Sequence, residues 1–166
     1  MNEYLERARE MLAEVTPLKT DCGKVCGAKC CRSLEGEETG MLLFPGEEDA
    51  CRGKAGWKVL ETESGPMAVC PGTCEREERP LACRIFPLLP VIREGRVKTA
   101  ADQRARAVCP LLRQGLKGMD PAFVDAVREA GRILAEEPGL RAYLERMTNE
   151  QDELKALRAK LGGIHV

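Results

Sequence analysis

The chain has 166 residues, with 26 Lys plus Arg and 27 Asp plus Glu, so its formal net charge is -1. This length predicts one compact domain, and the even charge balance offers no general attraction to nucleic acid or to an anionic membrane surface. Aromatic residues make up 4% of the chain, which also disfavours a platform for stacking bases. We therefore expect no nucleic-acid partner.

The N-terminal segment, MNEYLERAREMLAEV, carries charged residues from its start and has no apolar core, unlike a secretory signal peptide. No run of about 18 apolar residues predicts a membrane-spanning helix. We therefore expect a cytoplasmic protein with no membrane partner. Thiols stay reduced in that compartment, where clustered cysteines bind metal or do redox chemistry more often than they form structural disulfides.

An amphipathic helix is predicted over residues 3–15. Its apolar side chains recur at helical spacing, at Tyr4, Ala8, Met11 and Val15. Pro17 limits the end of this helix. The next segment, residues 21–31 with the sequence DCGKVCGAKCC, is predicted to be a loop, because Gly23 and Gly27 disfavour a regular helix.

Four short strands are predicted in the middle of the chain. Residues 57–61 and 66–70 form two of them, joined by a turn at residues 63–65. Residues 88–92 and 96–100 form a hairpin. Short elements of this kind bury little apolar surface, so a metal that cross-links them would stabilise the region.

The last third of the chain is predicted to be helical. Asp120-Pro121 supplies an N-cap and a proline at the first helical position, and an apolar stripe follows, at Phe123, Val127, Ala130 and Leu134. Pro138-Gly139 breaks this pattern. Thr148 and Gln151 match a capping box, which would open a charged and loosely attached final helix over residues 150–161.

These elements predict a single α+β domain over residues 1–166. A small cysteine-rich centre of β-strands and loops, tied by metal, would be flanked by the N-terminal helix and a C-terminal helical hairpin. The cysteine region covers about residues 20–110, and the helical C-terminal part covers about residues 119–162.

Nine cysteines and one histidine limit the available chemistry. The histidine is His165, near the chain end, where order is usually low, so histidine bases, HExxH zinc sites and Cys–His nucleophile pairs are disfavoured. No phosphate-binding glycine loop is present, because Gly36 and Gly40 lie in an acidic segment that would repel phosphate. The paired carboxylates of Glu47 and Glu48 are expected to be solvated. The chemistry of this chain should therefore depend on sulfur.

Eight of the nine cysteines are interpreted as metal ligands: Cys22, Cys26, Cys30, Cys31, Cys70, Cys74, Cys83 and Cys109. Gaps of two to four residues are typical of chelating cysteine pairs. Eight thiolates are twice the number that a structural zinc ion or a 4Fe-4S cluster needs, so they could form two tetrathiolate sites, with four thiols in the first cluster and four outside it. Cys51 belongs to no spaced pair and is interpreted as a small buried apolar residue.

The spacing leaves both the metal and the role open. Zinc and an iron–sulfur cluster both accept four thiolates, and the gaps do not match the ferredoxin pattern. Three functions stay open: a structural metal site, an iron–sulfur redox or radical-type oxidoreductase, and a thiol–disulfide or sulfur-handling protein that uses Cys30-Cys31. The sequence identifies no substrate, and both catalysis and a protein partner stay open.

Basic residues next to the cysteines either neutralise thiolate charge or are solvated; these are Lys24, Lys29, Arg32, Arg76, Arg79 and Arg84. Pro80 and Pro87 predict a short helix that presents Cys83 to the cluster and points Arg84 elsewhere. Arg79 and Arg84 are each expected either to donate to thiolate sulfur or to form ion pairs with glutamates.

The segments CGKVCGAKCC and RPLACRIFP resemble the YkgJ-type cysteine-cluster family, which is described as a zinc- or iron-chelating domain. The resemblance covers about residues 20–110. It matches the cysteines of the first cluster and then, in the second, Cys70, Cys74, Arg79, Pro80, Cys83, Arg84, Phe86 and Pro87. The first cluster has wider gaps than the common form, and a tyrosine often found before Arg-Pro is absent. The resemblance implies metal chelation and no particular reaction.

Overall fold

A computed structural model describes residues 2–32, 39–72 and 74–161. Over these ranges the chain is an α+β domain, in which helices at both ends enclose two small antiparallel sheets. This confirms the predicted fold class. Gly36 and His165, on which two sequence interpretations depend, lie outside the described residues.

Helix α1 spans Glu3–Glu10 and begins at Asn2, whose side-chain oxygen accepts a hydrogen bond from the backbone N–H of Tyr4 at 2.8 Å. The prediction that it continues to residue 15 is wrong. Beyond the helix, the guanidinium of Arg76 donates to backbone carbonyls of Leu12, Ala13 and Val15. These contacts satisfy carbonyls that would otherwise need helical partners.

The first sheet contains β1 (Met41–Leu42), β2 (Lys58–Thr62) and β3 (Gly65–Val69) in the order β1-β3-β2, with antiparallel pairing throughout. The predicted strands on either side of the 63–65 turn are thereby confirmed. β1 approaches β3 very closely, because a Cβ at Gly40 would lie 2.3 Å from the carbonyl oxygen of Ala68. Only glycine fits at this position.

The second sheet is the hairpin of β4 (Leu88–Arg93) and β5 (Arg96–Ala101), which confirms the second predicted pair. Its turn residues Glu94 and Gly95 have φ angles of 53° and 72°, as a tight two-residue hairpin turn requires. Helix α5 (Pro121–Leu134) packs on both strands, and α1 packs on α5. Leu5, Leu88, Phe123 and Val127 lie in the resulting buried core.

Helix α6 is continuous over Pro138–Leu161 and packs on β4. The predicted break at Pro138-Gly139 is confirmed, because α5 ends at Leu134 and α6 begins at Pro138. The predicted capping box at Thr148 and Gln151 is wrong, because both residues lie inside α6. Thr148 lies inside the helix and accepts a hydrogen bond from the backbone N–H of Ile92 at 2.9 Å. Gln151 accepts one from the backbone N–H of Gln103 at 2.6 Å. These side chains thus form tertiary contacts, and the side chains of residues 152–161 are exposed.

Three further α-helices are short: α2 (Cys22–Cys26), α3 (Glu48–Arg52) and α4 (Leu81–Ile85). Four 3-10 segments accompany them: Lys29–Cys31, Arg76–Glu78, Arg104–Ala107 and Pro110–Gly118. α4 lies between Pro80 and Pro87, as predicted. None of the helices in the described ranges is both long and apolar enough to cross a membrane.

Candidate metal centre

The fold brings all eight predicted ligand cysteines to the wall of one cavity of about 90 Å³. The lining cysteines are Cys22, Cys26, Cys30, Cys31, Cys70, Cys74, Cys83 and Cys109. Cys51 lies away from this wall, in α3, where its side chain is 1% exposed and belongs to the apolar core. The eight cysteines that the sequence groups together therefore share one cavity in the structure, and the ninth lies in the core.

Helix α2 positions the first two cysteines. Cys22 and Cys26 are separated by one helical turn and therefore project from the same side of the helix. The side chain of Asp21 caps α2 by accepting a hydrogen bond from the backbone N–H of Gly23 at 3.1 Å, and Gly27, with φ of 66°, ends the helix. The expectation of a loop here is wrong, because these two caps stabilise one helical turn despite its glycine.

The vicinal pair follows a sharp reversal of the chain. Gly27 and Ala28 both have positive φ angles, of 66° and 52°, so the 3-10 segment that carries Cys30 and Cys31 folds back toward the cavity. The two sulfur atoms lie 3.9 Å apart. Cys30 is exposed and Cys31 is half-buried.

Cys70 and Cys74 lie on a turn that leaves the end of β3. Gly72, with φ of 85°, shapes this turn, and a Cβ at Gly72 would lie 3.1 Å from the carbonyl oxygen of Cys31. The turn therefore packs directly on the backbone of the vicinal pair.

A buried carboxylate holds the helix that carries Cys83. Glu47 is 2% exposed, so the expectation that it is solvated is wrong. It accepts hydrogen bonds from the backbone N–H groups of Leu81 and Ala82, in the first turn of α4, and from that of Phe44 at 3.0 Å. Because Pro80 at the start of α4 has no capping side chain, Glu47 supplies the acceptor that a helix start needs.

Glu47 and Cys83 both have raised pKa values. Burial raises the pKa of Glu47 to about 7, although its three backbone hydrogen bonds act in the opposite direction. Burial also raises the pKa of Cys83, and the neighbouring charge of Glu47 adds to this effect.

Cys109 also lines the cavity, and it directly precedes the 3-10 segment Pro110–Gly118. Its backbone N–H donates to the carbonyl of Ala105 at 2.7 Å. The preceding turn is anchored by the buried carboxylate of Asp102, which accepts hydrogen bonds from the guanidinium of Arg104 and from the side-chain amide of Gln151. This network fixes the chain that leads to Cys109.

The two candidate arginines have different roles. Arg79 lines the cavity, and its Nε is buried with no hydrogen-bond partner in the part of the chain that the structure describes. Burial lowers the pKa of Arg79, but its hydrogen bond to Cys74 and the charges of Cys74, Asp21 and Cys31 raise it overall. Arg84 instead donates to backbone carbonyls, which are those of Arg9, Arg76, Glu77 and Arg79. Arg79 is therefore the arginine placed to interact with sulfur.

The remaining thiol pKa values reflect burial and mutual contact. Burial, followed by the charge of Asp21, raises the pKa of Cys22 to about 11. A hydrogen bond from Cys30 lowers the pKa of Cys31 to about 6, with a further contribution from Arg79, although burial opposes the change. The same hydrogen bond raises the pKa of Cys30.

Side chains that spacing does not reveal complete the cavity wall. Met41, Trp57 and Phe86 provide apolar surface, and Asp21 provides a carboxylate. An apolar wall of this kind limits the access of water and thereby strengthens electrostatic interactions inside the cavity. Sequence reasoning places Trp57 only at the start of a strand, because nothing local indicates which of its faces meets the cysteines.

Among residues 2–32, 39–72 and 74–161, no three His, Cys, Asp or Glu side chains converge closely enough to hold a metal ion as they stand. Ligation by the cavity thiols would therefore require their side chains to rotate toward one another.

No protein-family model, curated protein or solved structure matches this chain. The functional argument accordingly depends on the cavity and its thiols.

Proposed function

We propose that this chain is a metal-binding protein that holds zinc or an iron–sulfur cluster through clustered cysteine thiolates. One observation carries the proposal: eight cysteines from separate elements line a single cavity, while the ninth, Cys51, lies in the core. A shared metal explains why thiols from separate elements converge on one cavity. The proposal includes a cytoplasmic location and membership of the YkgJ-type cysteine-cluster family.

The chemistry of the donor set supports this choice. All eight candidate donors are thiols, and soft sulfur ligands favour zinc and iron–sulfur clusters over magnesium or calcium. Four thiolates around one centre also leave no open coordination position, which is typical of a structural metal. A structural role is therefore the simplest one for the metal.

Metal analysis of anaerobically purified protein tests the proposal. We expect at least one metal per chain, together with either zinc and no colour or iron, acid-labile sulfide and a brown visible spectrum. A chelator that removes the metal should lower the melting temperature, because a ligand that binds only the folded state stabilises it. Less than one metal per chain, with folding unaffected by the chelator, would overturn the proposal.

Replacing Arg79 with glutamine is expected to weaken metal binding about 10- to 100-fold, as is common when a group that supports a metal ligand is lost. The reason is that Arg79 lines the cavity and that Cys74 and Cys31 raise its pKa, so its positive charge stabilises these thiolates. Competition with a chromophoric chelator measures this affinity. Arg32→Gln is the matched control, because Arg32 is an exposed arginine beside the first cluster. If the two variants bound metal with equal affinity, Arg79 would have no role in metal binding.

A thiol–disulfide protein is the second candidate, and it is favoured by the vicinal pair. The sulfur atoms of Cys30 and Cys31 lie 3.9 Å apart, and the pKa of Cys31 is lowered to about 6, as in reactive cysteines. Free-thiol counts on reduced and oxidised samples distinguish the candidates. A loss of two thiols on mild oxidation, reversed by reductant, would favour this function, and an unchanged count would reject it.

A further inference from the structure

The eight cavity thiols surround a space rather than a single point. The cavity has a volume of about 90 Å³, several times the roughly 10–15 Å³ that one water-sized sphere needs. The thiols reach its wall from α2, from α4, from the vicinal pair, from the turn after β3 and from the residue before Pro110. Within the described parts of the chain, no three ligand-type side chains meet at one point. The cavity is therefore wider than the surroundings of one ion need to be.

This width distinguishes the two kinds of centre that cysteine thiolates hold. A zinc ion needs four sulfur atoms at about 2.3 Å from one point, so it brings its ligands into contact with one another and leaves no space between them. An iron–sulfur cluster contains several iron and sulfide atoms of its own and takes the thiolates at its corners. The ligands of a cluster therefore lie around a volume that the cluster itself fills.

A buried hydrogen-bond donor belongs to the same cavity. Arg79 lines the wall, and its Nε is buried with no hydrogen-bond partner among the described residues. A buried donor without an acceptor is costly, and the sulfide and thiolate atoms of a cluster accept hydrogen bonds. The apolar side chains of Met41, Trp57 and Phe86 complete the wall, so a hydrogen bond inside the cavity is shielded from water.

We propose that the cavity holds an iron–sulfur cluster and that Arg79 donates a hydrogen bond from Nε to one of the sulfur atoms of this cluster. The inference rests on the proposed function and narrows it from zinc or an iron–sulfur cluster to the second of these. The eight cavity thiols are enough for the four ligands of one 4Fe-4S cluster. Arg79 is then a positioning residue that tunes the cluster. Its charge and its N–H group stabilise the reduced cluster, which carries one more negative charge, and thereby raise the reduction potential.

The composition of anaerobically purified protein tests the identity of the centre. We expect at least about two irons per chain with an equal amount of acid-labile sulfide, since the smaller cluster type contains two of each, and a brown colour that bleaches with dithionite. Zinc as the resident metal, or iron without sulfide, would overturn this inference and leave the proposed function intact. Protein without metal would overturn the proposed function itself.

The reduction potential tests the role of Arg79. Arg79→Gln should lower the potential, because it removes a positive charge beside the cluster, and Arg79→Lys should lower it less, because it keeps the charge. Arg32→Gln is the matched control, since Arg32 is exposed and is not among the residues that line this cavity. A potential in Arg79→Gln equal to that of Arg32→Gln would overturn the role of Arg79.

A measurement on the wild-type protein does not depend on a variant that retains its cluster. Pulsed electron paramagnetic resonance of the dithionite-reduced protein, labelled with ¹⁵N-arginine, detects arginine nitrogen that is hydrogen-bonded to the cluster. Arg79 is the arginine on the cavity wall in the described ranges, so we expect a ¹⁵N coupling in the wild type and its loss in Arg79→Lys. A reduced wild-type cluster without this coupling, or a coupling that persists in Arg79→Lys, would overturn the assignment of the donor.

Discussion

Replacing Cys83 with alanine is expected to reduce the metal content of purified protein by at least one metal per chain and to lower its melting temperature by about 10 °C. Metal present at about 1,000 times its Kd contributes about 4 kcal/mol to folding. For a chain of this length, each kcal/mol corresponds to about 2–4 °C. The effect should be large because the metal would connect α4, through Cys83, to the other elements that line the cavity. Elemental analysis and calorimetry measure the two quantities.

Cys51→Ala is the matched control for this experiment. Cys51 is as buried as a core residue and lies away from the cavity, so its replacement should leave the metal content unchanged and cost about 1 kcal/mol through lost packing. If Cys51→Ala lost metal to the same extent as Cys83→Ala, the division into eight ligands and one core cysteine would be wrong.

Replacing Glu47 with alanine is expected to reduce the free energy of unfolding by about 3 kcal/mol. The carboxylate accepts three backbone hydrogen bonds while 2% exposed, and buried donors left without acceptors cost about 1–3 kcal/mol each. Denaturant unfolding measures the loss. Glu48→Ala is the matched control, because Glu48 is less buried and accepts one hydrogen bond, from the backbone N–H of Gly46. A cost no larger than that of Glu48→Ala would contradict the structural role of Glu47.

The raised pKa of Glu47 predicts that the free energy of unfolding depends on pH. Its pKa is raised from 4.5 to about 7 in the folded chain, so the folded state holds a proton that the unfolded state releases between these two values. The contribution of Glu47 to the free energy of unfolding should therefore fall by about 3 kcal/mol as pH rises from about 4.5 to 7, and should stay constant above that window.

Glu47→Gln isolates this contribution from those of the thiols, which titrate in both proteins. The difference in unfolding free energy between wild type and Glu47→Gln, followed from pH 4.5 to 8, should decrease with rising pH. A difference that is constant across this range would show that the pKa of Glu47 is not raised.

The elements that sequence reasoning predicts correctly are specified by neighbouring residues. The pairing of β2 with β3, the β4–β5 hairpin and helix α5 depend on turn residues, strand alternation and a cap that lie within a few positions of each other. Local chemistry decides such elements, so no knowledge of the remaining chain is needed. The spacing of the cysteines within each cluster is likewise a property of neighbouring residues.

The wrong predictions involve contacts between residues that are distant along the chain. α1 ends at Glu10, and the carbonyls of Leu12 and Ala13 that follow it accept hydrogen bonds from Arg76. Thr148 and Gln151 match a helix cap locally, but their side chains instead meet β4 and the Gln103 region. In each case a tertiary hydrogen bond satisfies a group for which the local pattern predicts another partner.

The donor atoms available to this chain can be read from the residue counts alone, since it has nine cysteines and a single histidine, and the spacing of the cysteines separates Cys51 from the other eight. Which of these groups meet is a property of the folded chain: Cys109 reaches the same cavity wall as Cys22 and Cys26, Arg79 lines that cavity while Arg84 donates to backbone carbonyls, and Glu47 is buried at the first turn of α4. This is because spacing constrains only neighbours along the chain, whereas packing of the two sheets and the terminal helices brings distant segments to one cavity.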